Sequence, residues 1–90
     1  VDPRVDLVIS GHTHFAYVCE FGAIDPARNF LVTSAGYGNS MLTDITLSLD
    51  PASGDVIARS ANNVVIQSAA PEAAHPDFPQ WTPDAGVASY

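Results

Sequence analysis

The residues of this chain best suited to chemistry stand together as Ser10-Gly11-His12-Thr13-His14. Two histidines one residue apart can aim both imidazoles into one pocket, because side chains at i and i+2 of an extended backbone share a face. Neutral imidazole is the commonest protein ligand for borderline divalent metals, and an unperturbed histidine is mostly neutral at pH 7. Gly11 would let the chain turn sharply at a strand end, where rigid scaffolds carry functional loops. By itself His-x-His is a weak pattern, met as readily in a polar surface loop that binds nothing.

The neighbours narrow the reading. A site of the metallo-β-lactamase type uses His-x-His-x-Asp, but the fifth position here is Ala16. Amidohydrolase barrels present Asp-x-His-x-His, and Ser10 stands where that aspartate belongs. A catalytic zinc site needs at least three protein ligands. His75 could complete a mononuclear site with His12 and His14, yet it lies over sixty positions away in a Pro-rich tail and reads more simply as a solvated linker histidine. Asp6 within a strand and Asp44 on a polar strand face are not placed like ligands. Cys19 alone forms no intrachain disulfide and reads as a small, buried strand residue. Tyr37, between Gly36 and Gly38, is either a ring that stacks on a ligand or, more simply, a turn aromatic covering a sheet edge.

The elements that must position these residues are mostly strands. Val5 to Ile9 is apolar enough for a strand buried on both faces. Phe15 to Phe21 and Phe30 to Ala35 predict two strands joined by a loop over Gly22 to Asn29 that contains Asp25-Pro26. Met41 to Asp50 alternates, with Ile45, Leu47 and Leu49 on one face, and Val56 to Gln67 returns after the turn Pro51-Ala52-Ser53-Gly54. Asn62-Asn63 is a candidate bulge in that returning strand. Residues 68–81 are rich in Ala and Pro and read as an extended linker. Thr82-Pro83-Asp84 has the chemistry of a helix start, with Thr as N-cap.

Composition excludes several classes of function. Ten acidic residues against three arginines and no lysine leave a net charge of -7. Binding to a nucleic-acid polymer rests on cations neutralising phosphates, and an anionic membrane surface would repel this chain likewise. No apolar run approaches the ~20 residues of a transmembrane helix. Ninety residues of 47% hydrophobic content make one domain with a thin core. A first residue other than Met and a capped helix start with almost no body fit a piece of something longer.

The strings VDLVISGHTH, YVC and LVTSAGYGNSMLTDITLSLDPASGDVIARSANNVVIQ, from about Val5 to Gln67, resemble the end of the metallophosphatase domain of the 5′-nucleotidase family. That family belongs to the calcineurin-like phosphoesterases, and the likeness is to its secreted bacterial bifunctional branch. The resemblance implies a β-rich α+β piece of a four-layer αββα sandwich. Residues 1–67 would close the metallophosphatase domain, 68–81 would link, and 82–90 would begin an interdomain helix. It implies two divalent metal ions (Zn, Mn, Fe, Mg or Ca), with His12 on one and His14 on the other. The substrate would be a nucleotide or related phosphate ester, and the location secreted, periplasmic or cell-wall associated. The family's D-x-H, G-D-x-x-D and G-N-H-[DE] motifs, with its catalytic histidine, are not among these ninety residues. The resemblance therefore assigns no catalytic residue here, and the chain alone is expected to be inactive. The competing expectation is a non-catalytic β-rich interaction module.

Overall fold

Among the described residues Phe30, Leu31, Thr33 and Ser34 are buried, and the architecture is arranged around them. In the computed structural model, which describes residues 1–67 and 75–90, five strands form: β1 (Leu7–Ile9), β2 (Ala16–Glu20), β3 (Leu31–Ala35), β4 (Met41–Leu49) and β5 (Val56–Val65). Apart from a 3₁₀ turn over Phe21–Ala23, no helix occurs among the described residues, so none is long and apolar enough to cross a membrane. The chain is β-rich, as its sequence pattern predicts.

β1, β3 and β2 make a three-stranded sheet in that order, with β3 in the centre. β3 is parallel to β1, pairing Leu7 with Leu31 and Ile9 with Thr33. It is antiparallel to β2, pairing Ala16 with Ala35 and Glu20 with Leu31. The β2–β3 connection is closed at its base by stacked Phe21 and Phe30 rings, 4.7 Å apart. Within it the Asp25 carboxylate accepts from the Arg28 guanidinium at 2.7 Å and the Ala27 amide at 3.1 Å. Those bonds, the Arg28 bond foremost, hold the Asp25 carboxyl below its ordinary range.

β1 is not buried on both faces, as its composition predicts. It lies at the sheet edge, and Ile9 is 73% exposed. Two equally apolar segments compete for the centre, and β3 takes it because a hairpin ties it to β2 while it also pairs with β1.

β4 and β5 form a separate antiparallel hairpin. Its turn is built by Asp50, whose carboxylate accepts from the Ala52 amide at 2.9 Å and the Ser53 hydroxyl at 3.1 Å. Gly54 closes the turn at φ 78°, a conformation glycine adopts without steric cost. The bulge does not fall at Asn62-Asn63, which pair regularly with Asp44 and Thr43. It falls between Ser48 and Leu49, where Ile57 is the extra residue on β5. The alternating face is covered only over its first half: Ile45 is half-buried, whereas Leu47 and Leu49 are exposed because the hairpin runs past the first sheet.

Two polar side chains fasten the hairpin to the sheet. Arg59 on β5 is 11% exposed and reaches Glu20 at 3.6 Å and Asp6 at 3.8 Å, with a hydrogen bond to the Asn29 side chain. Asn63 donates to the Ser34 carbonyl at 2.9 Å and accepts from the Thr43 hydroxyl at 2.7 Å. Of the expected linker, residues 68–74 lie outside the described residues. The expected helix at 82–90 is a single turn whose cap is Asp84 instead of Thr82: its carboxylate accepts from the Gly86 and Val87 amides at 2.8 and 3.1 Å.

Arg59→Ala leaves two carboxylates without their shared partner and removes a packed stem. We expect it to cost about 2 kcal/mol in urea denaturation, and Asn63→Ala about 1–2 kcal/mol, since that removes both the bond to the Ser34 carbonyl and the acceptor of the part-buried Thr43 hydroxyl. Hydrogen bonds from the Ala52 amide, then the Ser53 hydroxyl, hold the Asp50 carboxyl below its ordinary value. Its contribution is therefore complete above the unfolded value near 4 and is lost as pH falls through the folded value. Thermal melts from pH 6 to 3 should show stability falling, with a shallower fall in Asp50→Asn.

Candidate functional site

The strand order decides where the histidines go. β1 and β2 flank β3, so residues 10–15 must cross its C-terminal end, a span of two inter-strand gaps or about 10 Å. The crossing is pinned at both ends. On the β1 side the Ser10 amide donates to the Thr33 carbonyl at 2.8 Å and the Ser10 hydroxyl donates to the same oxygen at 3.0 Å. With its hydrogen so used, Ser10 Oγ accepts from the Tyr17 hydroxyl on β2. On the β2 side the Phe15 carbonyl accepts from Ser34 Oγ at 2.7 Å and from the Gly36 amide at 3.2 Å.

Between those anchors the backbone is strained. His12 has φ 70° and His14 φ 63°, both in the left-handed region that side chains with a Cβ rarely adopt. The Thr13 amide bonds the Gly11 carbonyl at 2.8 Å, which closes a γ-turn around His12 in the rarer, positive-φ form. This overturns the extended geometry assumed from the His-x-His spacing. It also relocates the sharp bend: Gly11 keeps an ordinary φ and supplies the acceptor, while the unusual backbone is that of the histidines. Strain of this kind costs about 1–3 kcal/mol per residue and persists where the surroundings impose it.

Both imidazoles are exposed, and no side-chain hydrogen bond among the described residues engages either. His14 stacks on Tyr37, with ring centroids 5.2 Å apart and planes 20° apart. Tyr37 is delivered by a tight turn: the Ser40 amide donates to the Tyr37 carbonyl at 3.0 Å, with Gly38 and Asn39 between them at φ 60° and 57°. The Ser40 hydroxyl donates to that carbonyl as well, at 2.7 Å.

The other candidates are elsewhere. Among the described residues no group of three His, Cys, Asp or Glu side chains stands close enough to hold a metal, so His75 is not brought to His12 and His14. His75 instead packs on Phe78, and its Nδ1 accepts from the Asp77 amide at 3.3 Å. Asp6 faces Arg59, Asp44 sits exposed opposite Asn62, and Cys19 is half-buried opposite Val32. The described clefts also lie elsewhere; one of about 400 Å³ runs between the β4–β5 hairpin and Trp81.

The arrangement offers two imidazoles, free as donors, on a backbone fixed at both ends. The Ser10 hydroxyl beside them is committed to Thr33 and Tyr17. The Ser10–Tyr17 bond and the His14–Tyr37 stack escaped sequence reasoning. The glycines flanking Tyr37 were the one local signal of the second. Comparison of the chain with family models, curated proteins and solved structures finds no match.

His12→Gly should raise stability by about 1 kcal/mol, since glycine removes the φ strain at some entropic cost. Gly11→Ala should be neutral within about 0.5 kcal/mol, since nothing lies within 4 Å of the added Cβ. Gly36→Ala should destabilise, because φ is 76° and the Cβ would meet Ser40 Oγ at 3.3 Å. Thermal melts of the three variants decide.

Proposed function

We propose that this chain contributes His12 and His14 to a two-metal phosphoesterase centre acting on nucleotides or related phosphate esters, with the remaining ligands from outside these ninety residues. The observation that carries the reading is a pair of exposed imidazoles held at positive φ on a doubly anchored loop, in the Ser-Gly-His-Thr-His context. The positive φ that the bridge imposes at His12 and His14 also presets both side chains, which is what a ligand position requires. In this reading the two sheets belong to a four-layer αββα sandwich, and the uncovered apolar side chains such as Ile9 and Phe15 face its other layers.

The donors fit such a group in kind, since among the candidate ions (Zn, Mn, Fe, Mg or Ca) neutral imidazole suits Zn and Fe best, but two donors do not complete it. When bound, a pair of divalent ions lowers the pKa of water and neutralises phosphate oxygens. The part of this chain is positional. His12 and His14 would each present one nitrogen to a different ion, and the bonds from Ser10 to Thr33 and from Ser34 to Phe15 fix the loop between them. The local sign of charge would then be set by the ions instead of the net -7 of the chain.

A second reading has its own support. Among the described residues no third donor joins the histidines, which suits a non-catalytic β-rich interaction module. Phosphate release from a nucleoside monophosphate and a 2′,3′-cyclic nucleotide, with Mn²⁺ or Zn²⁺ added, separates the two. We expect activity in the longer protein that contains the chain, none in the ninety residues alone, and at least a 100-fold loss of kcat/KM in His12→Ala and His14→Ala. Unchanged activity in both variants would exclude the metal reading.

A further inference from the structure

We propose that Tyr37 is a positioning residue for the His14 imidazole. The inference rests on the metal reading of His14 and adds a residue to it.

His14 and Tyr37 come from different elements. His14 is in the loop that crosses the end of β3, and Tyr37 is in the segment that leaves β3. Their rings nevertheless stack at 5.2 Å and 20°. A histidine on an exposed loop samples several rotamers, and ordering it on metal binding has an entropic cost. A near-parallel aromatic neighbour restricts the imidazole plane before any metal arrives, because stacked aromatic rings attract beyond the area they bury.

Tyr37 can play this part because its own position is over-determined. Its carbonyl accepts from both the amide and the hydroxyl of Ser40, and the intervening Gly38 and Asn39 hold a tight turn at positive φ. On its other side Gly36 is at φ 76° and donates to the Phe15 carbonyl, next to His14 in sequence. The two rings therefore hang from backbones that are bonded to each other. Tyr37 is 66% exposed, so the ring is not retained as core. Partners that orient a ligating histidine usually do so through its second nitrogen, and their loss weakens metal binding roughly 10- to 100-fold. Here the contact is to the ring face, which leaves both nitrogens open.

The test is Co²⁺ titration of the longer protein that contains this chain, followed by the visible absorption band, together with the NMR shift of the His14 ring protons in the metal-free protein. Tyr37→Phe keeps the stack and should stay within twofold of the parent Kd with the ring-proton shifts retained. Tyr37→Ala and Tyr37→Leu should each weaken Co²⁺ about tenfold and move the His14 ring protons toward random-coil values. Leu keeps an apolar side chain at the turn, so its failure to rescue separates stacking from mere occupancy. Parent-like affinity in both Ala and Leu overturns the proposal, as does a Phe variant as weak as Ala. His14→Ala in the same titration keeps the two readings apart: if it leaves Co²⁺ binding unchanged, the metal reading itself fails. If it abolishes binding while the Tyr37 variants are silent, only the role of Tyr37 fails.

Discussion

The placement of β3 between β1 and β2 is the constraint on which the rest depends. Because β1 and β2 are consecutive in sequence but not neighbours in the sheet, the chain must bridge over the end of β3. Six residues cover a gap of about 10 Å, too many for a taut link and too few for a free one. The surplus is absorbed as the γ-turn at His12 and the left-handed backbone at His14. The same bridge is adjacent to the Thr33 carbonyl, the Ser34 hydroxyl, the Gly36 amide and the turn carrying Tyr37, which is why its anchors come from β3 and the residues that follow it. Histidine geometry here is a property of strand order.

The two sheets are held together by polar contacts more than by a shared apolar core. Among the described residues the buried hydrophobic ones are Phe30 and Leu31, while Ile9, Phe15, Leu49 and Ile57 are open to solvent. The radius of gyration is 16.6 Å, against about 12 Å for a compact domain of this length. Arg59 and Asn63 do the joining. The charged Arg59 is well suited to that place: its stem packs between the sheets while Glu20, Asp6 and Asn29 gather around its head. In a chain with so few cations, the one that is nearly buried is the one that spans the two sheets.

What could be read in the sequence follows the range of the interaction. The two hairpins were legible, because alternation and turn residues such as Asp25-Pro26 and Pro51 to Gly54 act within a few residues. The position of β1 was not, since Val5 to Ile9 and Phe30 to Ala35 are equally apolar and periodicity carries no information on which is central. The bulge at Ile57 escaped for a related reason: register is set by pairing across the hairpin, and the polar Asn62-Asn63 pair is accommodated in regular pairing. Near residue 82 the sequence offered Thr82 as a cap, whereas the turn that forms is capped by Asp84, two residues later. For the site, the histidines were legible as residue types, but their backbone was not. Spacing reports which faces side chains share in a regular strand, and it is silent where φ turns positive.

The parallel pairing of β1 with β3 has a consequence for the order of events in folding. The β4–β5 hairpin and the β2–β3 hairpin both close through contacts near in sequence, the kind that form in microseconds. Leu7 meets Leu31 only after the intervening chain has closed on itself, and such non-local pairing is the slow part of assembling a sheet. The histidine loop takes its shape from that pairing, because one of its two anchors is the strand that arrives last. A chain with both hairpins formed and β1 undocked would look nearly complete by strand content and would still have no ordered His12 and His14. Topology alone thus predicts that the site assembles late, separably from most of the structure around it.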